Sequence, residues 1–94
     1  MGGVYGTISV QNLSSVALTA RAYGTGTTTL VDTLSIGTGS SNSAFFTLSN
    51  TANYDITIRA GSQQITISNV NCLYNPLYNV SVSSNGTVTY VKAS

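Results

Sequence analysis

Apolar and polar residues alternate along most of this chain. In the stretch "NYDITIRAGSQQITISN" (residues 53–69), isoleucine recurs at every second position on both sides of Gly61. Alternation with a period of two is typical of a strand that buries one face, and no window shows the three-and-four spacing of an amphipathic helix. The pattern therefore predicts an all-β fold.

The alternating segments are separated by runs of Gly, Asn, Ser and Pro, which favour turns. Seven or eight short strands in 94 residues predict one domain, residues 1–94, built as a two-sheet antiparallel β-sandwich. The predicted strands lie near residues 4–10, 15–23, 28–36, 43–49, 53–60, 63–69, 77–83 and 87–91.

The hairpin around Gly61 has a predictable register, because a slip of one residue would expose its apolar side chains. A two-residue turn at Gly61 and Ser62, with Gly first, aligns the isoleucines. It places Asp55 and Arg59 on the wet face, about 13 Å apart at ~3.3 Å per residue. The pairs are Ala60 with Gln63, Arg59 with Gln64, Ile58 with Ile65, Thr57 with Thr66, Ile56 with Ile67 and Asp55 with Ser68.

The last hairpin requires a different loop. A two-residue turn at Asn85 and Gly86 would pair apolar with polar positions. We therefore predict a three-residue loop, 84–86, in which Gly86 is left-handed and closes a bulge. This register pairs Val82 with Val88 and Val80 with Tyr90.

Two positions interrupt the alternation. Asp32 falls on the apolar face of its strand, and three interpretations are open: a bulge at Val31 and Asp32, an inward charge that protects an edge strand, or a functional acid. Phe45 and Phe46 point to opposite faces. Phe46 is predicted to lie in the core, and Phe45 on the outer face or at an interface.

The run "SAFFTLSNTANYDITIRAGSQQITI" (43–67), with "SVALTARAYGTG" before it, resembles the middle of transthyretin-like and carboxypeptidase-regulatory-like sandwich modules. In these modules a strand with alternating aromatics leads through a short turn to a Tyr-x-aliphatic-x-aliphatic strand. The resemblance implies an Ig-like sandwich of Greek-key type and assigns no active residue. It depends on Phe46, Tyr54, Ile56 and Ile58.

Charge is scarce in this chain. Charged residues make up 5% of the sequence, against about 25% in a typical soluble protein. Arg21, Arg59 and Lys92 are the only cations, too few to neutralise several phosphates, so we expect no nucleic-acid partner. No apolar run approaches the ~20 residues of a membrane helix, and "MGGVYGTIS" lacks the basic and apolar regions of a signal peptide.

The residues that most often carry catalysis are also scarce. The sequence has no His, one Cys and two acidic residues, so we expect no enzyme activity, metal site or cofactor. Asp32 and Asp55 lie on different predicted strands. Cys72 has no second cysteine with which to form an internal disulfide. Two interpretations are open: Cys72 packs in the core as a small apolar side chain, or it forms a disulfide with another chain.

Tyrosine and asparagine supply the remaining candidates. Tyr74, Asn75 and Tyr78 lie in "NCLYNPLYN", where exposed rings and amides could bind glycans, contact a protein, or lie half-buried with the hydroxyl in water. Asn-x-Ser/Thr glycosylation motifs, relevant to a secreted protein, occur at Asn12, Asn79 and Asn85.

A small domain with so little charge is expected to self-associate, because charge normally blunts sheet edges and keeps proteins apart. The leading hypothesis is a non-enzymatic structural subunit of an extracellular filament, virion or surface layer. Residues 1–12 then pair within their own domain or are donated to a neighbouring copy. The alternative is an adhesin-like or carbohydrate-binding module. Candidate contact residues are Tyr5, Phe45, Asp55, Arg59, Tyr74, Asn75 and Tyr78.

Overall fold

The computed structural model describes residues 4–38 and 42–93. These residues form eight strands and no helix, which confirms the all-β prediction. Predicted and observed strand ends differ by at most three residues. The strands are β1 (Tyr5–Asn12), β2 (Leu18–Gly24), β3 (Leu30–Ile36), β4 (Ser43–Ser49), β5 (Tyr54–Ala60), β6 (Gln63–Val70), β7 (Leu77–Val82) and β8 (Val88–Lys92).

The strands form two four-stranded sheets. Sheet A has the order β4-β1-β7-β8, and sheet B the order β3-β2-β5-β6. The expectation of a purely antiparallel sandwich is wrong for sheet A, because β1 and β7 are parallel, with Val10 opposite Tyr78. Parallel neighbours need a long connection between them. Here β2 to β6 lie between β1 and β7 in the sequence. Local alternation of apolar and polar residues contains no information on whether the chain returns parallel or antiparallel to an earlier strand.

The N-terminal strand β1 lies in the middle of sheet A. It pairs with β4 on one side and β7 on the other, and both partners belong to its own chain. Ile8 and Val10 are fully buried between the sheets. In this structure β1 therefore pairs within its own chain.

The core lies between the inward faces of the two sheets. Cys72 belongs to it, and its thiol donates a hydrogen bond of 3.2 Å to the Leu48 carbonyl oxygen. This confirms the packed-hydrophobe interpretation, since a fully buried thiol cannot reach another chain without unfolding. The principal core residues are Ile8, Val10, Leu18, Ala20, Ala22, Ile36, Phe46, Leu48, Tyr54, Ile56, Ile58, Ile67, Val70, Cys72, Tyr78, Val80 and Val88.

Both predicted hairpin registers are confirmed near their turns. Gly61 has a φ of 62°, and the pairs from Ala60–Gln63 to Ile56–Ile67 occur as expected. Gly86 has a φ of 89°, and Val82 lies opposite Val88. The predicted pairing of Asp55 with Ser68 is wrong. The register shifts between Tyr54 and Ile56, so that Tyr54 pairs with Val70.

A bulge also occurs in β3. Ala22 pairs with Asp32 and Tyr23 with Leu30, which leaves Val31 as the extra residue. Asp32 lies on the same side as the buried Ala22 but is exposed, because β3 is an edge strand. Two of the interpretations of Asp32 therefore hold together: a bulge at Val31 and a charge on the inward side of an edge.

Asn12 organises the connection after β1. Its amide nitrogen donates to the carbonyl oxygens of Val16, at 2.7 Å, and Gly37, at 3.3 Å. Its amide oxygen accepts from the backbone N–H of Ser14 at 2.9 Å and from the Ser14 hydroxyl at 2.6 Å. This turn delays the start of β2 relative to the prediction.

Candidate interaction surfaces

The outward faces of the two sheets differ in charge. Alternation with buried residues identifies the outward positions, and cross-strand pairs align them into rows. The outward face of sheet B carries Arg21, Asp55 and Arg59. That of sheet A carries no charged residue within the described chain, and consists of Tyr5, Thr7, Ser9, Gln11, Ser43, Phe45, Thr47, Ser49, Leu77, Asn79, Ser81, Thr89 and Val91.

Three large apolar side chains stand out on this uncharged face of sheet A. Tyr5 is 68% exposed, Phe45 59% and Val91 68%. Phe45 pairs with Ser9, four residues along β1 from Tyr5, so the rows of the two rings are about 13 Å apart. The predicted outward position of Phe45 is confirmed, and the face presents separate apolar contacts on a Ser- and Thr-rich background.

The predicted loop set of Tyr74, Asn75 and Tyr78 does not come together as one exposed site. Tyr74 is 86% exposed, but Tyr78 is only 7% exposed and packs edge to face against Tyr90, with ring centroids 5.8 Å apart. Burial, and then the charge of Tyr90, raise the pKa of Tyr78 above its ordinary value of 10.0. Tyr78 fits the alternative of a packed ring, since β7 begins at Leu77, as predicted, and directs the ring inward.

Asn75 is occupied within the chain. It has a φ of 51°, and its amide oxygen accepts hydrogen bonds from the Thr7 N–H, at 3.0 Å, and the Thr7 hydroxyl, at 3.2 Å. The loop that contains Asn75 is thereby attached to β1 at Thr7, which lies between the exposed Tyr5 and the buried part of the strand. Of the three predicted loop residues, Tyr74 alone offers its whole ring to a partner.

The three glycosylation candidates lie in different environments. Asn12 is 1% exposed and fully engaged, so its amide is not reachable in the folded chain, which corrects that prediction. Asn79 lies on the outward face of sheet A, yet its Oδ1 is buried and has no hydrogen-bond partner among the described residues. Asn85 is exposed at the hairpin tip, where its Oδ1 accepts from the Ser83 hydroxyl and, at 3.2 Å, from the Thr87 N–H.

A shallow groove of about 490 Å³ lies on the outward face of sheet B. Asp55 and Thr57 of β5 and Gln64 and Thr66 of β6 line it, and Tyr23 lies directly beside Asp55 in the sheet. The loop after β2 forms the remaining wall with the hydroxyl-bearing residues Thr27 and Thr28.

Asp55 connects the two sides of this groove. Its Oδ1 accepts from the Asn69 N–H at 2.9 Å and from the Thr25 hydroxyl at 3.0 Å. The Asn69 N–H lowers the pKa of Asp55 below its ordinary value of 3.8, with a smaller contribution from Thr25, while partial burial opposes the shift. The carboxylate is therefore ionised at neutral pH and fixed in position.

Arg59 lies on the same face but is held separately. Its Nε donates to the Gly61 carbonyl oxygen at 2.8 Å. Both charges of the hairpin thus lie on the wet face, as predicted, and each is satisfied by its own surroundings.

Sequence reasoning identified Asp55 but missed the groove. The pairing of Thr57 with Thr66 was predictable from the hairpin. The neighbours contributed by β2, above all Tyr23, depend on the pairing of β2 with β5. Nothing local in the sequence indicates that pairing.

Within residues 4–38 and 42–93 there is no group of three or more His, Cys, Asp or Glu side chains that could hold a metal ion. The same part of the chain contains no helix long and apolar enough to cross a membrane.

No protein-family model matches the sequence, and no curated protein matches it. The fold defines the class of protein as an all-β sandwich of two four-stranded sheets. Its function has to be inferred from its surfaces.

Proposed function

We propose that this chain is a non-enzymatic structural subunit that assembles with copies of itself through the outward face of sheet A, as part of an extracellular filament, virion or surface layer. The observation that carries the proposal is the absence of charge from that described face, together with its exposed Tyr5, Phe45 and Val91. Full burial of a large apolar side chain contributes about 1.5–3 kcal/mol. No charged group has to be desolvated on this face to obtain that gain.

The edges of the sheets favour the same surface. β4 is an edge of sheet A and contains no charged residue. β3, the edge of sheet B beside it, carries a bulge and Asp32, both of which hinder pairing with a further strand. Assembly through β4 and the face next to it is therefore easier than assembly through β3.

Self-association is tested by light scattering and negative-stain imaging of the purified protein at several concentrations. The informative variant is Phe45→Lys, which places a charge on the uncharged face at an edge strand. Its matched control is Ser35→Lys, which places the same charge at an exposed outward position of edge strand β3.

We expect Phe45→Lys to reduce the assembled fraction strongly and Ser35→Lys to assemble like the parent. A parent protein that stays monomeric at all concentrations would refute the proposal. Equal loss of assembly in both variants would instead show that any added charge prevents association, whatever the face.

We further propose that the sandwich is of the transthyretin-like, Greek-key kind. Support comes from the residues that carry the resemblance, since Phe46, Tyr54, Ile56 and Ile58 all lie in the core. An experimental structure with a different connectivity between the sheets would contradict this proposal.

A further inference from the structure

The groove on sheet B is lined by polar side chains around one aromatic ring. Its lining consists of one aromatic ring, one carboxylate, one amide and four threonines, with no aliphatic residue among them. Such a lining offers many hydrogen-bonding groups beside the apolar ring of Tyr23. A ligand that matches it has closely spaced hydroxyl groups together with a patch of C–H bonds, since aromatic rings pack on the latter.

The charges in and around the groove favour a neutral ligand. Asp55 is ionised within it and repels anions. Arg21 pairs with Thr57 and Arg59 with Gln64 in the sheet, so two cations lie next to residues of the groove and oppose the attraction of Asp55 for a cationic ligand. A neutral molecule that accepts and donates hydrogen bonds avoids both effects.

The walls of the groove are already ordered. The Thr27 N–H and hydroxyl both donate to the Gly24 carbonyl oxygen, at 2.9 and 2.8 Å. On the floor of the groove, the Asp55 carboxylate is held by the Asn69 N–H at 2.9 Å and the Thr25 hydroxyl at 3.0 Å. Binding therefore does not have to order a loop, which is one of the main entropic losses on association.

From this combination we propose that the groove binds a neutral saccharide. The volume of about 490 Å³ lies within the ~300–1,000 Å³ that small-molecule sites usually occupy. Tyr23 packs against the C–H face of a sugar ring, Asp55 accepts from its hydroxyls, and Gln64 both donates and accepts. The site lies on the sheet opposite to the assembly face and does not depend on self-association.

The test is a two-dimensional ¹H–¹⁵N NMR titration of the full chain with glucose, galactose, mannose, N-acetylglucosamine, maltose and lactose. If the natural protein assembles, the Phe45→Lys variant serves as the background, because its substitution lies on the other sheet. We expect at least one of these sugars to shift backbone signals of Tyr23, Thr27, Asp55, Gln64 and Thr66, and to leave those of residues 71–79 unchanged.

Two substitutions with matched controls decide the assignment. Tyr23→Ala and Gln64→Ala are each expected to weaken binding at least ten-fold. Tyr74→Ala removes an exposed tyrosine elsewhere, and Gln63→Ala removes the neighbouring glutamine outside the groove; both should bind like the parent. Gln64 is exposed, so its variant keeps the test valid even where Tyr23→Ala proves unstable.

Three outcomes overturn the proposal: no signal shifts with any of the six sugars, shifts that map to residues 71–79 and vanish in Tyr74→Ala, or unchanged affinity in the folded Gln64→Ala variant. Tighter binding of glucuronic acid or glucosamine than of glucose would overturn the inference that the ligand is neutral. None of these results bears on assembly, which the scattering experiment measures separately.

Discussion

Replacing Gly6 with alanine should destabilise the protein more than any other single methyl group added at a described glycine. A Cβ atom at Gly6 would lie 2.1 Å from the carbonyl oxygen of Cys72 and 2.9 Å from its carbonyl carbon. Cβ atoms essentially never lie within 3.0 Å of an atom from another part of the chain. Both atoms belong to the backbone, so no rotamer change relieves the overlap and one segment has to move by about an ångström or more.

Neither segment can move without losing other interactions. Gly6 is held opposite Leu48 in the ladder between β1 and β4. Cys72 is fully buried, bonds Leu48 through its thiol, and accepts from the Asn75 N–H at 3.1 Å. Displacing this loop also separates Asn75 from Thr7.

The expected loss is about 2–4 kcal/mol, from ~1–3 kcal/mol for overpacking a filled site and ~0.5–1.5 kcal/mol for a broken hydrogen bond. In a domain of this size, that corresponds to a fall in the melting temperature of roughly 10–30 °C. Thermal and urea unfolding followed by circular dichroism measure it.

The control is Gly24→Ala. Neither glycine has a positive φ, so alanine restricts the unfolded chain equally at both positions. The nearest atoms at Gly24 are Oγ1 and Cγ2 of Thr27, at 3.2 and 3.8 Å, so a shift of a few tenths of an ångström suffices there, against a much larger shift of the backbone at Gly6. We expect Gly24→Ala to remain within about 1 kcal/mol of the parent. Similar melting temperatures for the two variants would refute the reasoning from the close approach.

Three further predictions concern buried and ionisable groups. Asn12→Ala should lower the free energy of unfolding by about 2–4 kcal/mol, because it leaves several backbone groups without partners. Asn79→Ala removes a buried oxygen without a partner among the described residues and should be near neutral. Urea unfolding measures both variants, and equal losses of unfolding free energy would contradict the prediction. The pKa of Asp55 is lowered in the fold, so the unfolded chain binds more protons in acid and the free energy of unfolding should fall as the pH drops below 3.8. In Asp55→Asn the urea midpoint should fall less steeply below that pH, and a fall as steep as in the parent would exclude the Asp55 carboxylate as the source of the acid dependence. The pKa of Tyr78 is raised, so the contribution of its neutral hydroxyl to the free energy of unfolding is complete below pH 10.0 and is lost above it. In Tyr78→Phe the unfolding free energy should decline less steeply at alkaline pH, and a decline as steep as in the parent would show that another group causes it.

Local features of the sequence were sufficient for the secondary structure and for two hairpin registers. Alternation identifies a strand because successive side chains point to opposite faces. Gly61 and Gly86 set turns because they adopt positive φ without strain, and each turn fixes the pairing of residues next to it. The same information placed Phe45 outward and Phe46 in the core.

The register predicted for the hairpin around Gly61 is wrong at the end far from the turn, where the turn no longer fixes the pairing. Asp55 does not pair with Ser68, because the pairing of Tyr54 with Val70 introduces a bulge there. Asp55 instead accepts from Thr25, a residue 30 positions away in the chain. Such contacts form only when distant strands have met.

The candidate surfaces likewise depend in part on the local sequence and in part on the tertiary structure. The sequence by itself determined that charge is rare, that strands alternate, and that Asp55 and Arg59 lie on a wet face. The tertiary structure decided that β1 lies parallel to β7, that Tyr78 is buried, that sheet A has an uncharged outward face, and that Tyr23 lies beside Asp55. The reason is physical: pleat and turn geometry act over a few residues, whereas the neighbours of a strand are selected by burying apolar faces contributed by the whole chain.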